Sequence, residues 1–574
     1  MDRITKNLMQ EFAREHDLAR LDEPTLFEHF TSHLAISRFV PEVFDTYDVV
    51  VGAGGDTGID AIAILVNGAL ITDLDQVTEM VERNGSLDAT FVFIQADRGS
   101  EFKAAKIGVF GFGVVDFFAD KPKLPRNSGV KKAADIMARV FANSSRFKKN
   151  PSCKLYLATT GNWAGDAVLE ARRTAIVEDL RGLRLFREVD FYPLGSENLQ
   201  RLYRDSRNSV SRDFEFSLKT LVPDVPGVTE AYIGLLPARE FIGLIEDSGE
   251  ILKGIFYDNV RDWQDYNEVN SEMKVSLESL DSRPRFGLMN NGVTIIAKTL
   301  RTTGNRIHIE DYQIVNGCQT SHVLFDQRDN LDDSVFVPLR LISTQNDEVI
   351  ASIIKATNRQ TEVKTEQLLA LSDFQKKLES FFNTFTNGKR LFYERRSRQY
   401  NNIEGIEKTR IVTPRNLIRA YASMFMEEPH RATRSYGAIL DQVGTRIFSD
   451  SDRLEPYYAA AFALYRLEFL FRNQLMRNDF KPARFQLLMA ARILAVGPNL
   501  PKPNSRDMER LANTLCELLW DPKQSEALFA AASDVLVSIN SDLQSDALRT
   551  QPFTEELRDA CTVFFNDQEL FVKS

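Results

Sequence analysis

The chain has 574 residues, of which 43% are hydrophobic, 26% charged and 10% aromatic. This ordinary globular composition allows roughly three or four domains and excludes collagen-like, mucin-like and globally disordered proteins. The 71 Lys and Arg residues against 81 Asp and Glu residues give a net charge of −10. A uniformly basic nucleic-acid binder is therefore excluded, whereas a local basic groove is not.

The cysteines and the hydropathy pattern indicate a location. Cys153, Cys318, Cys516 and Cys561 lie far apart without a CxxC pair, which excludes a disulfide framework and a structural zinc module. The N-terminus has no signal-peptide pattern, and no apolar run approaches the roughly 20 residues of a membrane span. We expect a cytoplasmic protein that does not associate with a membrane.

The first third of the chain alternates helical and strand patterns. An amphipathic stretch from Ile4 to about Arg38 predicts helix, and three β-like runs follow: YDVVVGAGGDTGIDAIAILVNG, ALITDLDQV and ATFVFIQAD. Two helical patterns, the buried strand CKLYLATTG, another helix and the strand EVDFYPLG come next. This order predicts an α/β domain over residues 1–215.

The remaining chain predicts two further regions. Residues 216–360 contain short strands rich in Val and Ile between Asn- and Gly-containing turns, which is typical of a mixed α+β module. Residues 361–574 have the pattern of an all-helical region, whose apolar rows suit packing or a homo-oligomer contact. The predicted fold class is therefore multidomain: an α/β domain, a mixed α+β middle module and a helical C-terminal region.

Polar residues stand at the ends of two predicted strands in the first domain. Asp60 begins the apolar run AIAILV, and Gln95 ends the run FVFI. If these strands are neighbours, a carboxylate and an amide oxygen meet at the edge of the sheet. Mg²⁺ or Mn²⁺ prefers such oxygen ligands, and a hydrated ion beside a phosphodiester supplies both a Lewis acid and a nucleophile.

The glycine-rich string before Asp60 has two other interpretations. A glycine-rich hairpin capped by aspartate is the plain one. A dinucleotide-binding turn is excluded, because Thr57 occupies the place of the third glycine and a strand follows instead of a helix.

The Asp60 and Gln95 pattern resembles the PD-(D/E)XK nuclease superfamily, in which an acidic residue begins the second core strand and a D/E/Q-x-K tripeptide ends the third. The resemblance implies that Asp60 binds the metal, that Gln95 is the first member of the tripeptide, and that Glu28 is an additional helical carboxylate. An active nuclease, a degenerate nuclease-like fold and an unrelated fold all remain open.

The tripeptide departs from the superfamily pattern, because Asp97 stands where lysine is expected. Asp97 would then add a metal ligand, or Lys103 or Lys106 on the next predicted helix would supply the missing cation. His29 and His33 are four residues apart, which is also metal-ligand spacing, but no third nitrogen or thiolate ligand is near them in the sequence.

Polar motifs interrupt the strands of the middle module. In chain order they are Asn259-Val260-Arg261, Asn290 to Gly292, Ile314 to Thr320, Thr357 to Gln360, and Tyr393 to Arg396. Together they resemble the abortive infection phage resistance (AIPR) family over about residues 255–400, which implies a bacterial antiviral role. Hairpin geometry is the plain alternative for the Asn-Gly dipeptides, and a fainter similarity of 316–320 to ParB-like modification-linked proteins implies a phosphate pocket.

Residues 389–400 are the strongest basic concentration in the chain, with arginines between aromatic residues that offer phosphate contacts and stacking faces. Internal ion pairing is the alternative. The predicted nucleic-acid or phosphate-binding residues are Arg261, Asn291, Asn316, Gln319, Thr320, Asn358, Gln360, Arg395, Arg396 and Arg398.

These patterns favour an anti-phage, Mg²⁺- or Mn²⁺-dependent endonuclease acting on DNA or RNA, with a phage trigger or an operon partner. Its predicted catalytic residues are Glu28, Asp60, Gln95, Asp97, Lys103 and Lys106, of which Asp60, Gln95 and Asp97 would hold the metal. The alternatives are a catalytically degenerate nucleic-acid or nucleotide-binding regulator and a scaffold that recognises a phage protein.

Overall fold

The computed structural model describes residues 1–40, 43–52, 57–207, 210–247, 249–252, 255–256, 268–357, 373–395, 399–400, 403, 405–540, 542–543 and 546–572. The chain forms two compact units. The first contains residues 1–35, 43–200 and 372–574, and the second contains residues 36–42 and 201–371. The helical C-terminal third therefore shares a unit with the N-terminal α/β part.

A mixed sheet forms the centre of the N-terminal part. Its strands are β1 (Ala61–Val66), β2 (Ala69–Ile71), β3 (Ala89–Asp97), β4 (Ser152–Thr159) and β5 (Glu188–Leu194). They lie in the order β2-β1-β3-β4-β5, in which β1 is antiparallel to β2 and β3, while β3, β4 and β5 are parallel. Every residue of β4 is buried, as expected for a central parallel strand covered on both faces.

Helices surround this sheet, and the predicted α/β order is confirmed. They are α1 (Arg3–Glu15), α2 (Glu23–Ile36), α3 (Leu74–Asn84), α4 (Ala104–Phe117), α5 (Ser128–Ala142), α6 (Ala167–Gly182) and α7 (Ser196–Arg207).

Two local predictions in this part are wrong, and capping residues explain both. The run YDVVV does not form a strand. Tyr47 and Asp48 belong to a 3₁₀ turn (Thr46–Asp48), in which the Asp45 side chain accepts a hydrogen bond from the Tyr47 N–H, and Val50 makes an isolated β-bridge to Ala61. The run LDQV begins α3, because the Asp73 side chain accepts from the Asp75 N–H. A satisfied helix N-terminus outweighs the weak β preference of such short runs.

Helix α4 lies unusually close to its neighbours. A Cβ atom at Gly113 would stand 2.1 Å from the Thr57 carbonyl oxygen, and one at Gly111 would stand 2.3 Å from the Ile176 side chain. Only glycine permits this approach. The glycines of VFGFG therefore let α4 pack against the loop that leads into Asp60 and β1.

The second unit is built on another mixed sheet. Its strands are β6 (Ser211–Glu215), β7 (Leu218–Leu221), β8 (Glu230–Pro237), β11 (Val293–Thr303), β12 (Arg306–Asn316) and β13 (Phe336–Ser343), in the order β6-β12-β11-β13-β8-β7, beside the short pair β9 (Glu246–Asp247) and β10 (Glu250–Ile251). Its helices are α8 (Ala238–Ile245), α9 (Glu268–Glu278), α10 (Phe286–Met289), α11 (Cys318–Asp326) and α12 (Asp347–Thr357). The mixed α+β character is as predicted.

The C-terminal part is rich in helices, with one two-residue strand pair, β14 (Phe392–Tyr393) and β15 (Ile411–Val412). The helices are α13 (Asp373–Phe382), α14 (Pro414–Phe425), α15 (Pro429–Arg434), α16 (Tyr436–Leu440), α17 (Glu455–Arg472), α18 (Arg484–Val496), α19 (Arg506–Trp520), α20 (Pro522–Ile539) and α21 (Gln551–Val572). Among the described residues, none of these or the other helices has the length and apolarity to cross a bilayer.

Ion pairs join two 3₁₀ turns between these helices, Asn478–Ala483 and Asp546–Arg549, to the α/β part of the same unit. The Arg549 guanidinium lies 3.1 Å from Asp73 and 2.9 Å from Asp75, and the Lys481 ammonium lies 3.8 Å from Asp48. The side chains of Arg549 and Lys481 are largely buried, so their carboxylate partners are needed to offset desolvation.

Candidate functional site

Asp60 is held against the end of β3 by its backbone and its side chain. Its N–H donates to the Ile94 carbonyl at 2.9 Å, and its Oδ2 accepts from the Ala96 N–H at 2.6 Å. Its own carbonyl accepts from the N–H groups of Val51 and Gly52. The carboxylate is therefore fixed at the edge of the sheet where β1 begins and β3 ends.

Gln95 lies between the two residues of β3 that bond to Asp60, so its backbone is adjacent to that of Asp60. The residue is 5% exposed, and its Oε1 atom has no hydrogen-bond partner within the described residues. A buried acceptor without a donor is costly. Such an atom fits a site in which the amide oxygen binds a cation.

Glu28 approaches the same place from α2. A Cβ atom at Gly52 would lie 2.6 Å from Glu28 Oε2, so the carboxylate is packed against the loop that bonds to Asp60. This contact explains why glycine is needed at position 52, where any side chain would displace the carboxylate.

Glu28 also faces a cleft of about 500 Å³, which is in the size range of ligand sites, roughly 300–1,000 Å³. The cleft is lined by Met1, Glu23, Pro24, Glu28, Ala96, Asp97, Arg98 and Gly99. Helix α2 and the end of β3 thus both contribute to the cleft, and Ala96 and Asp97 of the tripeptide are among its lining residues.

The place left by the missing tripeptide lysine has a cation beside it. The Lys106 ammonium, on α4, lies 3.8 Å from Asp97 Oδ2, while Asp97 Oδ1 accepts from the Gly99 N–H at 3.0 Å. Lys103 is the exposed residue that precedes α4, and its side chain makes no capping hydrogen bond. Lys106 is therefore the better placed of the two predicted lysines.

The donor set suits a hydrated hard cation better than a soft transition metal. Among the described residues, no three His, Cys, Asp or Glu side chains are grouped so that they could hold a metal. Mg²⁺ usually keeps several waters and takes one or two carboxylates. Asp60 with the Gln95 amide oxygen fits that requirement.

The two histidines of α2 have other surroundings. His29 Nδ1 lies 2.6 Å from the Thr46 hydroxyl, and the His33 ring packs against Phe12 and Phe44. Burial lowers the pKa of both histidines to about 4. They are interior residues, and the described residues offer them no metal-binding group.

Several middle-module motif residues connect separate segments of the second unit. The Asn290 amide donates to the Thr320 hydroxyl at 3.1 Å, and the Asn270 amide donates to Gln319 Oε1 at 2.7 Å. The Asn316 amide donates to the Thr357 carbonyl at 2.7 Å. These bonds brace the turns at the ends of β11 and β12.

The remaining predicted phosphate-binding residues fall into three groups. Asn291 is exposed beside Gly292, whose φ of 80° is that of a turn. Arg395 is buried, with its Nε 2.9 Å from Glu379 Oε2. Five lie outside the described residues: Arg261, Asn358, Gln360, Arg396 and Arg398. Their phosphate-binding role stays a prediction.

Two cleft residues were not anticipated from the sequence. Arg98 follows the tripeptide directly, and its guanidinium lies 3.2 Å from Glu23 Oε1 at the start of α2. The position of Arg98 just after a strand end carrying polar groups was an available signal. Glu23 offered none, because a carboxylate in the first turn is common in any helix.

The fold and this cleft define a multidomain protein with an acidic strand-end site and a helix-rich C-terminal part. Residues 256–518 match the family model described as AIPR protein, which confirms the AIPR resemblance over that range. The match points to a role in abortive infection, a form of anti-phage defence. Comparisons with curated proteins and with solved structures gave no significant match.

Proposed function

We propose that this protein is a metal-dependent nuclease of an anti-phage defence system. The AIPR match supports the defence role, and the arrangement at the β1 and β3 ends supports the chemistry. The observation that carries the proposal is the buried, unpartnered Gln95 Oε1 next to the fixed Asp60 carboxylate, because burying an unsatisfied acceptor beside a carboxylate is reasonable where a cation binds both.

In this proposal Asp60 and Gln95 hold Mg²⁺ or Mn²⁺, which when bound supplies a Lewis acid and an activated water. Glu28, which lines the cleft from α2, orients that water or another water of the metal ion's hydration shell. Lys106 supplies the positive charge that the tripeptide lacks, and it also limits the repulsion between the Asp97 carboxylate and an incoming phosphodiester.

The test compares the parent with Asp60→Asn and Gln95→Ala on plasmid, linear DNA and RNA, with Mg²⁺ or Mn²⁺ and with EDTA. We expect metal-dependent cleavage that falls about 100-fold or more in both variants, since each removes a ligand of the ion. Asp507→Asn, an exposed carboxylate on α19, is the matched control and should cleave like the parent. Undiminished cleavage by Asp60→Asn would refute the proposal.

A second candidate function is a nucleic-acid-binding regulator without turnover. It is favoured by Asp97 in place of lysine. It is also favoured by the hydrogen bond that Asp60 Oδ2 accepts from the Ala96 N–H, because this bond already uses an oxygen that would otherwise bind the metal. A parent that binds DNA or RNA and never cleaves, with either metal, would select this candidate.

A further inference from the structure

Arg98 and Glu23 form an exposed ion pair at the mouth of the cleft. The Arg98 Nη1 atom lies 3.2 Å from Glu23 Oε1, both side chains are 43% exposed, and both residues line the cleft with Asp97. Arg98 comes directly after the tripeptide 95–97, of which Ala96 and Asp97 line the same cleft.

The cleft needs an additional cation if a phosphate is to enter it. Three of its lining side chains are carboxylates, those of Glu23, Glu28 and Asp97, and they repel a phosphodiester. Lys106 is already paired with Asp97. Arginine binds phosphate through two parallel N–H groups, and Arg98 is the lining residue with that chemistry.

The ion pair between Arg98 and Glu23 can be broken at a small cost in free energy. Exposed ion pairs contribute little to stability, because water screens them. Glu23 also has a second cation, since the Lys6 ammonium lies 3.8 Å from the other carboxylate oxygen, Oε2. When Arg98 turns to a phosphate, Glu23 therefore keeps a compensating charge.

We propose that Arg98 binds a phosphate of the nucleic-acid strand that enters the cleft, and that Glu23 competes with this phosphate for the guanidinium. This inference rests on the proposed function, since it concerns the same cleft. It makes Arg98 a substrate-binding residue and Glu23 the residue that sets how strongly the cleft holds a strand.

The experiment measures the affinity of the full-length protein for fluorescently labelled oligo(dT) and oligo(U) in EDTA, where metal-dependent cleavage does not interfere. Arg98→Gln is expected to weaken binding about 10-fold and to reduce the slope of log affinity against log salt by about 0.7, the value for one lost contact to a single strand. Glu23→Gln is expected to tighten binding about 2- to 5-fold.

The chain contains a matched control pair. Arg510 and Asp507 on α19 form an exposed ion pair with the same 3.2 Å separation, so Arg510→Gln and Asp507→Asn make the same charge changes outside the cleft. The double variant Glu23→Gln/Arg98→Gln tests the coupling. If Glu23 acts through Arg98, the gain from Glu23→Gln disappears when Arg98 is absent.

The outcomes separate the two proposals. Equal affinities of Arg98→Gln and Arg510→Gln, or a Glu23→Gln gain that persists without Arg98, overturn this inference while the nuclease proposal stands. A parent that binds neither oligonucleotide also overturns this inference, whereas the nuclease proposal is decided by the cleavage assay. A misfolded variant is expected to lose affinity, so a gain of affinity in Glu23→Gln distinguishes the proposed competition from misfolding.

Discussion

At the scale of single residues, Arg395 shows that a buried cation in a basic stretch can have a structural role. It lies in the most basic stretch of an acidic chain, yet its side chain is 3% exposed and paired with Glu379 of α13. Glu379 also accepts a hydrogen bond from Gln399. In this position the guanidinium neutralises a carboxylate of its own unit, and the proposed function does not depend on it.

Replacing Arg395 is therefore expected to affect stability. Arg395→Ala leaves the mostly buried Glu379 carboxylate with one hydrogen-bond donor fewer, and removing one partner of a buried pair costs about 3 kcal/mol. We expect a lower thermal midpoint by differential scanning calorimetry. Arg390→Ala is the control from the same basic stretch, because Arg390 is exposed, and it should stay within about 0.5 kcal/mol of the parent. Equal effects of the two variants would contradict the burial of Arg395.

At the scale of elements, two glycines allow two turns of the second unit to pack closely against each other. Gly292 precedes β11 and Gly317 follows β12, with φ angles of 80° and 98°. A Cβ atom at Gly317 would lie 2.8 Å from Val293 Cγ2 and 3.0 Å from the Gly292 carbonyl oxygen. The two motif turns thus touch, and the Asn290–Thr320 hydrogen bond lies beside this contact.

The contact predicts that two glycine substitutions lower the free energy of unfolding by different amounts, although both glycines have a left-handed backbone conformation. Gly304, in the β11–β12 turn, has a φ of 65° and open space around its Cβ position. Gly304→Ala should cost about 1 kcal/mol for its left-handed backbone, whereas Gly317→Ala should cost about 2 kcal/mol more because neighbouring atoms must move. Hydrogen exchange of β11 and β12 in both variants measures the difference. Equal protection in the two would show that the turns do not touch.

At the scale of the whole molecule, a buried group of histidines makes the stability of the first unit depend on pH. The rings of His16 and His33 pack edge to face with their centroids 4.7 Å apart. Burial lowers the pKa of His16 well below its usual range, and it lowers the pKa of His29 and of His33 to about 4. The nearby cations of Lys408 and Arg472 act in the same direction on His16. These histidines are neutral when the unit is folded.

The sign of the pH effect follows from this burial. Between the unfolded pKa of about 6.5 and the folded pKa of about 4, the unfolded chain binds more protons, so stability falls as the pH falls through this window. At pH 5 we expect a loss of about 2 kcal/mol for each of His29 and His33 relative to pH 7.5. Thermal melting at the two pH values measures the sum.

Two histidine variants isolate the effect. His33→Phe keeps an aromatic ring among Phe12 and Phe44 and should flatten the dependence on pH. His308→Gln is the control, because His308 is a partly exposed residue of the second unit whose pKa is raised by its hydrogen bond to Glu310. The control should keep the loss of stability below pH 6.5. A His33→Phe protein that melts with the parent's pH dependence would contradict the role of His33.

Hydrophobic periodicity and motif spacing already determined the order of the α/β, mixed and helix-rich regions, the strand-end positions of Asp60 and Gln95, and the AIPR segment. These properties depend on residues close together along the chain. Only the tertiary structure decided that Glu28 lies against Gly52, that Lys106 pairs with Asp97, that Arg98 faces Glu23, and that Arg395 is buried. Burial and ion pairing depend on packing between distant segments, and the identity of a side chain does not reveal which segment will cover it.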